Sequence, residues 1–482
     1  MSRRRKGVSK RVLSAVLSAA MVATTIPAMS ITASAESAEG NIELSRQVAA
    51  DGMVLLENRD EVLPVQQGTT VAMFGRAMID YTRGGGGSGA TNVDYTRNIL
   101  QGMQIKEEEG KISLYQPLVD FYTEQVTTNG ITNDAQINVT DEMMDAAAAE
   151  ANTAVVTIGR YSSEGSDRSA TKGDYYLSDA EEELITRVAA KFDKVIVVLN
   201  VGAVTDTSWI NDIPGVDAVL VGWQAGMEGG LATADVLVGD VNPSGKLVDT
   251  WAKSYEDYPS AETFNESTGY VNYTEDIYVG YRYFETFDPD YEKVNYPFGY
   301  GLSYTDFEIS DVTVDFDGDA LTGTANVSAT VTNTGDMAGK EVVQVYFSAP
   351  QAGEGEAKMS KPAKELAAFD KTDLLEPGES ETLNMSFAIS DMSSYDDIGE
   401  TGHKSAYVME AGDYDIYVGD SIKNAGEQGV RGTYNVAETT VTEQLTEKLA
   451  PTQLPERLMA DGKYHEIEVA PGFDPHHTIA AE

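Results

Sequence analysis

The sequence predicts an α/β sandwich, a mostly parallel sheet with helices on both faces, followed by an all-β antiparallel sandwich. Three observations carry this prediction. Between residues 70 and 250, apolar runs alternate with helical stretches, the order that a parallel sheet with helical crossovers requires. From Phe307 onward the apolar period falls to two, with turn residues between the segments, as in antiparallel sandwiches of ~100 residues. The chain contains no Cys, so each domain must be held by an ordinary core rather than by disulfides. At 41% hydrophobic residues there is enough apolar material for that.

The elements follow in order. An amphipathic helix is expected over 41–56, with Ile42, Leu44, Val48, Met53, Val54 and Leu55 as its apolar positions. Strands are expected at 71–74, 154–158, 194–199, 217–221 and 246–250, and helices at 93–103, 141–151, 178–191 and 227–238. Ser178, with Glu181 three residues later, forms a capping box that marks one helix start. In the second domain, strands are expected at 325–332, 341–347, 381–387 and 412–418, with turns at 333–336 and 376–379. Beyond 422 the pattern dissolves: 439–455 is polar, and 464–469 offers a single stray strand. The expected partition is a leader at 1–35, the α/β domain at 36–305, the β-sandwich at 306–422 and a polar linker or tail at 423–482.

The leader reads as a secretory signal peptide. Arg3, Arg4, Arg5, Lys6, Lys10 and Arg11 precede an apolar stretch from Val12 to Ala23, and Ala33-Ser34-Ala35 offers a cleavage site. Left uncleaved, it would be a membrane anchor. The formal net charge is −44, and removal of the six basic residues of the leader takes it to about −50. Such a balance opposes nucleic acid and anionic lipid surfaces and suits an extracellular protein with a neutral ligand. Asp315, Asp317 and Asp319 lack the spacing and closing Glu of an EF-hand, so an acidic turn is expected there. His476 and His477, adjacent in the tail, read as solvated. No cofactor or metal is expected.

Two segments hold residue types that can do chemistry. Glu164, Asp167 and Arg168 lie among small residues just after the apolar run 155–159, and loops at such strand ends build the sites of open α/β sheets. All four His residues lie at 403 or later, which leaves a carboxylate as the agent of proton chemistry in the first domain. A solvated charged loop is the alternative reading. Gly84, Gly85, Gly86, Gly87, Ser88 and Gly89 contain G-x-G-x-x-G. Three readings stay open: a dinucleotide cradle, a loop that folds over a ligand, or a structural turn. The first lacks an adjacent strand end and a following acidic strand end.

Larger motifs add a resemblance. Ala49-Ala50-Asp51-Gly52-Met53-Val54-Leu55-Leu56-Glu57-Asn58, Glu164-Gly165-Ser166-Asp167-Arg168, Trp223-Gln224-Ala225-Gly226-Met227-Glu228-Gly229-Gly230, Asn242-Pro243-Ser244-Gly245-Lys246-Leu247, Tyr278-Val279-Gly280-Tyr281-Arg282-Tyr283 and Phe298-Gly299-Tyr300-Gly301 occur in that order. They resemble the C-terminal α/β domain of glycoside hydrolase family 3. Lys340-Glu341-Val342-Val343-Gln344-Val345-Tyr346 resembles the fibronectin type III-like domain that follows it. The resemblance implies a β-glycosidase, β-glucosidase-like, acting on a β-glycoside or oligosaccharide. It makes Glu164 the general acid/base, with a pKa raised by burial or by a neighbouring carboxylate. Asp167 and Arg168 are supporting residues that hold the loop or the ligand, with Arg168 a counter-ion or loop anchor, and Gly84–Gly89 closes over a sugar. Glu275 and Asp276 receive only a structural or rim role.

The family's nucleophilic Asp belongs to a (β/α)8 barrel, and its Ser-Asp-Trp motif does not occur here: Trp209, Trp223 and Trp251 do not follow Asp. The expectation is therefore half of a two-carboxylate machine that needs a separate or missing barrel. The alternative is a non-catalytic carbohydrate-binding or scaffold protein left after barrel loss.

Overall fold

The computed structural model describes residues 38–162, 164, 168–264, 266–267, 269–445 and 454–467. The leader, Asp167, His476, His477 and the end of the expected strand 464–469 lie outside the described residues. Residues up to Leu44 open a helix, Ala38–Asp51; all that follows concerns the chain from Ser45 onward.

The first domain is built on a six-stranded sheet. Its strands are β1 (Val54–Asn58), β2 (Thr70–Phe74), β3 (Ser113–Leu114), β4 (Thr153–Gly159), β5 (Lys194–Asn200) and β6 (Ala218–Val221), in the order β1-β6-β5-β4-β2-β3. Strands β2 to β6 run parallel, and β1 closes one edge antiparallel to β6. The apolar runs of β4, β5 and β6 are buried almost throughout, as strands covered on both faces must be. Helices Ile99–Glu108, Asp141–Glu150, Asp179–Ala189 and Gly229–Val238 flank the strands. The first and last approach closely because Gly102 faces the backbone of Gly230, where a Cβ would have no room. No helix among the described residues is long and apolar enough to cross a membrane.

Three expected elements are corrected. The helix at 41–56 ends at Asp51, and Val54, Leu55 and Leu56 are strand β1; an apolar triplet serves either period, and pairing with β6 decides. The helix expected at 93–103 starts at Ile99, because Asn98 caps it and exchanges hydrogen bonds with Gln101. Residues 246–250 form no strand. Leu247 exchanges backbone hydrogen bonds with Gly299 and Tyr300, and pairing begins only with β7 (Trp251–Ala252) against β8 (Val294–Tyr296).

The second domain packs sheet β13-β10-β9 against sheet β12-β11-β16-β17. Their ranges are β9 (Phe307–Asp317), β10 (Thr324–Asn333), β11 (Val342–Ser348), β12 (Glu365–Lys371), β13 (Ser380–Ala388), β16 (Gly412–Gly419) and β17 (Val430–Val436). Val327, Val331, Val345, Phe347, Leu383 and Ile416 are among the residues of the core between them. A smaller sheet joins β14 (Ser394–Asp396), β15 (Ala406–Met409) and β18 (Thr440–Gln444). The expected acidic turn is split: Asp315 and Asp317 end β9, and Asp319 accepts the backbone N–H groups of Leu321 and Thr322.

The segment after 422 is not simply a polar tail. Strand β17 extends the second sheet, with Tyr434 opposite Tyr414. Strands β19 (Glu456–Leu458) and β20 (Tyr464–Glu466) form a hairpin. Arg457 ties that hairpin back through Asp397 at 2.7 Å and Asp276 at 3.3 Å. Asp276 is thus an ion-pair partner of Arg457, and Glu275 beside it is buried.

Candidate functional site

The sheet order defines where a site can form. From β2 the chain crosses to β3 on one side, whereas from β4 it crosses to β5 on the other. The loops leaving β2 and β4 diverge, and such a switch point opens a crevice at the carboxyl ends of the strands. The glycine loop follows β2, and the Glu164 loop follows β4.

The structure brings these two loops together. Glu164 Oε2 accepts hydrogen bonds from the Ser88 backbone N–H at 3.0 Å and the Ser88 hydroxyl at 2.7 Å. Gly87 beside it has φ +58°, and a Cβ there would run into the Glu164 carboxylate. Glycine is thus required twice over at this position. Glu164 is exposed. The Ser88 N–H and then its hydroxyl hold the carboxyl below its ordinary value, outweighing a small opposing effect of desolvation. This departs from the expected raised pKa, because hydrogen bonds given to the ionised form favour it.

Behind Glu164 the loop is anchored by side chains. Arg160, at the end of β4, pairs with Glu181 through two hydrogen bonds of 2.6 and 2.7 Å. It also donates to the carbonyls of Gly159, Asp174 and Tyr176. Burial alone would raise the Glu181 pKa, but Arg160 and the Ser178 cap bring it below normal. Arg168 donates to the carboxylate of Asp174 and, at 2.8 Å, to its carbonyl. Asp174 also accepts from the Ser169 N–H and hydroxyl. Arg168 is therefore a loop anchor, while Asp167 lies outside the described residues.

The third wall is the loop after β6. Asn200 spans the crevice floor, accepting from the Thr82 N–H and donating to the carbonyls of Thr82 and Trp223. Gly226 donates its N–H to the carbonyl of Arg83. The fully buried Glu228 receives the Tyr95 hydroxyl and, at 2.7 Å, the Arg97 guanidinium. Loop 222–228 thus pins the glycine loop on both flanks, leaving its tip free to meet Glu164. A dinucleotide cradle does not fit: Gly87–Gly89 is a short 3-10 turn, the helix begins only at Ile99, and the Ser88 amide already serves a carboxylate.

Sequence reasoning did not single out Arg160, Asp174 or Asn200. Arg160 and Asn200 each end an apolar run, and that position is the only signal they carry.

A mostly parallel α/β sheet with a carboxylate at its switch point is thus joined to an antiparallel β-sandwich. Residues 53–304 match the glycosyl hydrolase family 3 C-terminal domain, and residues 341–422 match the fibronectin type III-like domain. The chain belongs to glycoside hydrolase family 3. It is 42% identical to β-glucosidase A of Butyrivibrio fibrisolvens, over 91% of this chain and 56% of that protein. Its fold matches the crystal structure of a β-glucosidase from Paenibacillus barengoltzii with TM-score 0.80 and 44% identity, over 89% of this chain and 48% of the other. It matches β-glucosidase 3B of Thermotoga neapolitana, solved with α-D-glucose, with TM-score 0.72 and 38% identity, over 84% and 55%. The chain spans about half the length of the curated relatives it matches.

Proposed function

We propose that this chain is the acid/base-bearing part of a secreted family 3 β-glycosidase, β-glucosidase-like, completed by a (β/α)8 barrel that carries the nucleophile. The observation that supports it best is the contact of Glu164 with Ser88 at the switch point of the sheet. In the first step the nucleophile attacks the anomeric carbon as Glu164 protonates the departing glycosidic oxygen. In the second, Glu164 takes a proton from the water that releases the sugar. A retaining pair needs the second carboxylate about 5–5.5 Å away.

The Ser88 hydrogen bonds hold Glu164 ionised in the open crevice, the resting form of a base. Docking of a barrel and a sugar would bury the carboxyl and raise its pKa into the range of an acid. The glycine loop, pinned at its flanks, would close over the bound sugar.

The test is hydrolysis of an aryl β-glucoside by the purified chain, alone and mixed with the barrel domain of a family relative. Negligible turnover alone, activity with the barrel, and its loss in Glu164→Gln are expected. Ordinary turnover by the chain alone would refute the need for a barrel. Sugar binding without turnover in any mixture would favour a non-catalytic binding protein.

A further inference from the structure

A cleft of about 660 Å³ lies on the far side of the Glu164 loop from the glycine loop. It is bordered by Tyr176 and Lys172 of that loop, Asp206, Ser208 and Trp209 after β5, and Thr186 of helix Asp179–Ala189. Its volume is within the usual range of small-ligand sites, about 300–1,000 Å³. Like the Glu164 crevice, it opens from loops at the carboxyl ends of adjacent strands, here β4 and β5.

Its lining has the chemistry of a polyol site. Asp206 is 93% buried by residue area, since only 7% of it is exposed. Its Oδ1 accepts the Ser208 N–H at 3.0 Å, while its backbone is fixed by the Tyr175 carbonyl. Burial raises the Asp206 pKa, opposed by Ser208 and helped by the neighbouring Asp212 and Glu182. A carboxylate held this way is an acceptor awaiting hydroxyl donors. The half-buried Tyr176 ring stands edge-on to Tyr175 at 4.9 Å and gives the cleft an aromatic wall for the C–H face of a sugar ring. Lys172, the one cation among the described residues of the lining, is engaged by Asp179 at 2.5 Å and by Glu182 at 3.5 Å. With Asp206, Asp212 and Glu182 around it, the cleft repels anions.

We infer that this cleft is a second saccharide site, which holds the distal units of a β-linked oligosaccharide whose scissile bond lies at Glu164. The link to the scissile bond rests on the reading of Glu164 above; the binding of sugar does not. The two are separable by experiment.

Calorimetric titration of the full chain with cellotetraose, laminaritetraose and xylotetraose tests it. At least one should bind saturably. Tyr176→Leu and Asp206→Asn should weaken it tenfold or more. Thr186→Arg, an exposed helix position whose longer side chain would reach over the cleft, should do the same without touching the core. Glu164→Gln, which alters only the scissile end, should cost less affinity than any of the cleft variants, so a failure of the catalytic reading would not erase binding here. No saturable binding of any of the three, or binding lost in Glu164→Gln but unchanged in all three cleft variants, would overturn the inference.

Discussion

Replacing Arg160 by Leu should detach the loop that carries Glu164. Arg160 and Glu181 are only 6% and 5% exposed, and Arg160 is tied to Glu181 twice and to three carbonyls of the loop and strand end. Removing one partner of a buried ion pair costs about 3–5 kcal/mol, because the other charge is left unpaired. Three carbonyls lose a charged donor as well, which places the loss at the upper end of that range. Removing both partners in Arg160→Leu/Glu181→Leu deletes the stranded charge, and the coupling should recover about 1–3 kcal/mol. Urea denaturation followed by circular dichroism measures the three variants, and proteolysis reports whether cleavage appears between 161 and 177. The pH dependence gives a second check. The folded Glu181 pKa is depressed, so its contribution is full above about 4.3, the unfolded value, and is lost as pH falls through the folded one. A loss below about 1 kcal/mol for Arg160→Leu, with no new cleavage, would refute the claim that this pair holds the loop.

Three further outcomes follow from named contacts. Ser88→Ala removes the hydroxyl bond to Glu164, so the Glu164 pKa should rise toward the ordinary carboxylate value in a 13C NMR titration; an unchanged midpoint would discount that bond. Gly87→Ala combines φ +58° with a Cβ in the Glu164 carboxylate; it should cost about 1–2 kcal/mol and displace Glu164, read as loss of the Ser88–Glu164 contact in a crystal structure. Lys371 donates to the Asp51 carbonyl at 3.0 Å, and burial pushes its amine down to about 8, partly offset by Asp51. The unfolded chain then holds more protons between pH ~8 and ~10, so stability should rise with pH across that window. After allowance for partial solvent exposure this amounts to about 1–2 kcal/mol, and Lys371→Met should flatten the slope in denaturation curves at pH 7.5 and 9.5.

Much of the fold was legible because local signals agreed with the global one. The runs in β4, β5 and β6 are too apolar for anything but a doubly covered sheet, and the Ser178–Glu181 box marks its helix start. The alternation in β10 and β13 likewise matches the sandwich. Strand β1 was not legible, since Val54-Leu55-Leu56 fits either period and its partner is β6, far along the chain. Strand β17 was missed because Gly432 interrupts its alternation; that glycine is where the strand lies against Val314. In the site, the Glu164 and glycine loops stood out from composition and from motif resemblance. The residues that hold them did not. Asn200 contacts Thr82 across 118 positions, and no local pattern reports such a pairing.

The clamping of the glycine loop has a consequence for how the site can diversify. Its flanks are fixed at Arg83 by Gly226 and at Tyr95 and Arg97 by Glu228, so the stretch between, apart from Gly87 and Ser88 at Glu164, is an exchangeable cassette. Doubling the length of such a stretch costs only about 0.6 kcal/mol of closure entropy, and none of it falls on the sheet. Loops of other lengths and side chains can be grafted between these two clamps, which turns the rim of the crevice into a replaceable part and leaves the frame that carries it unchanged.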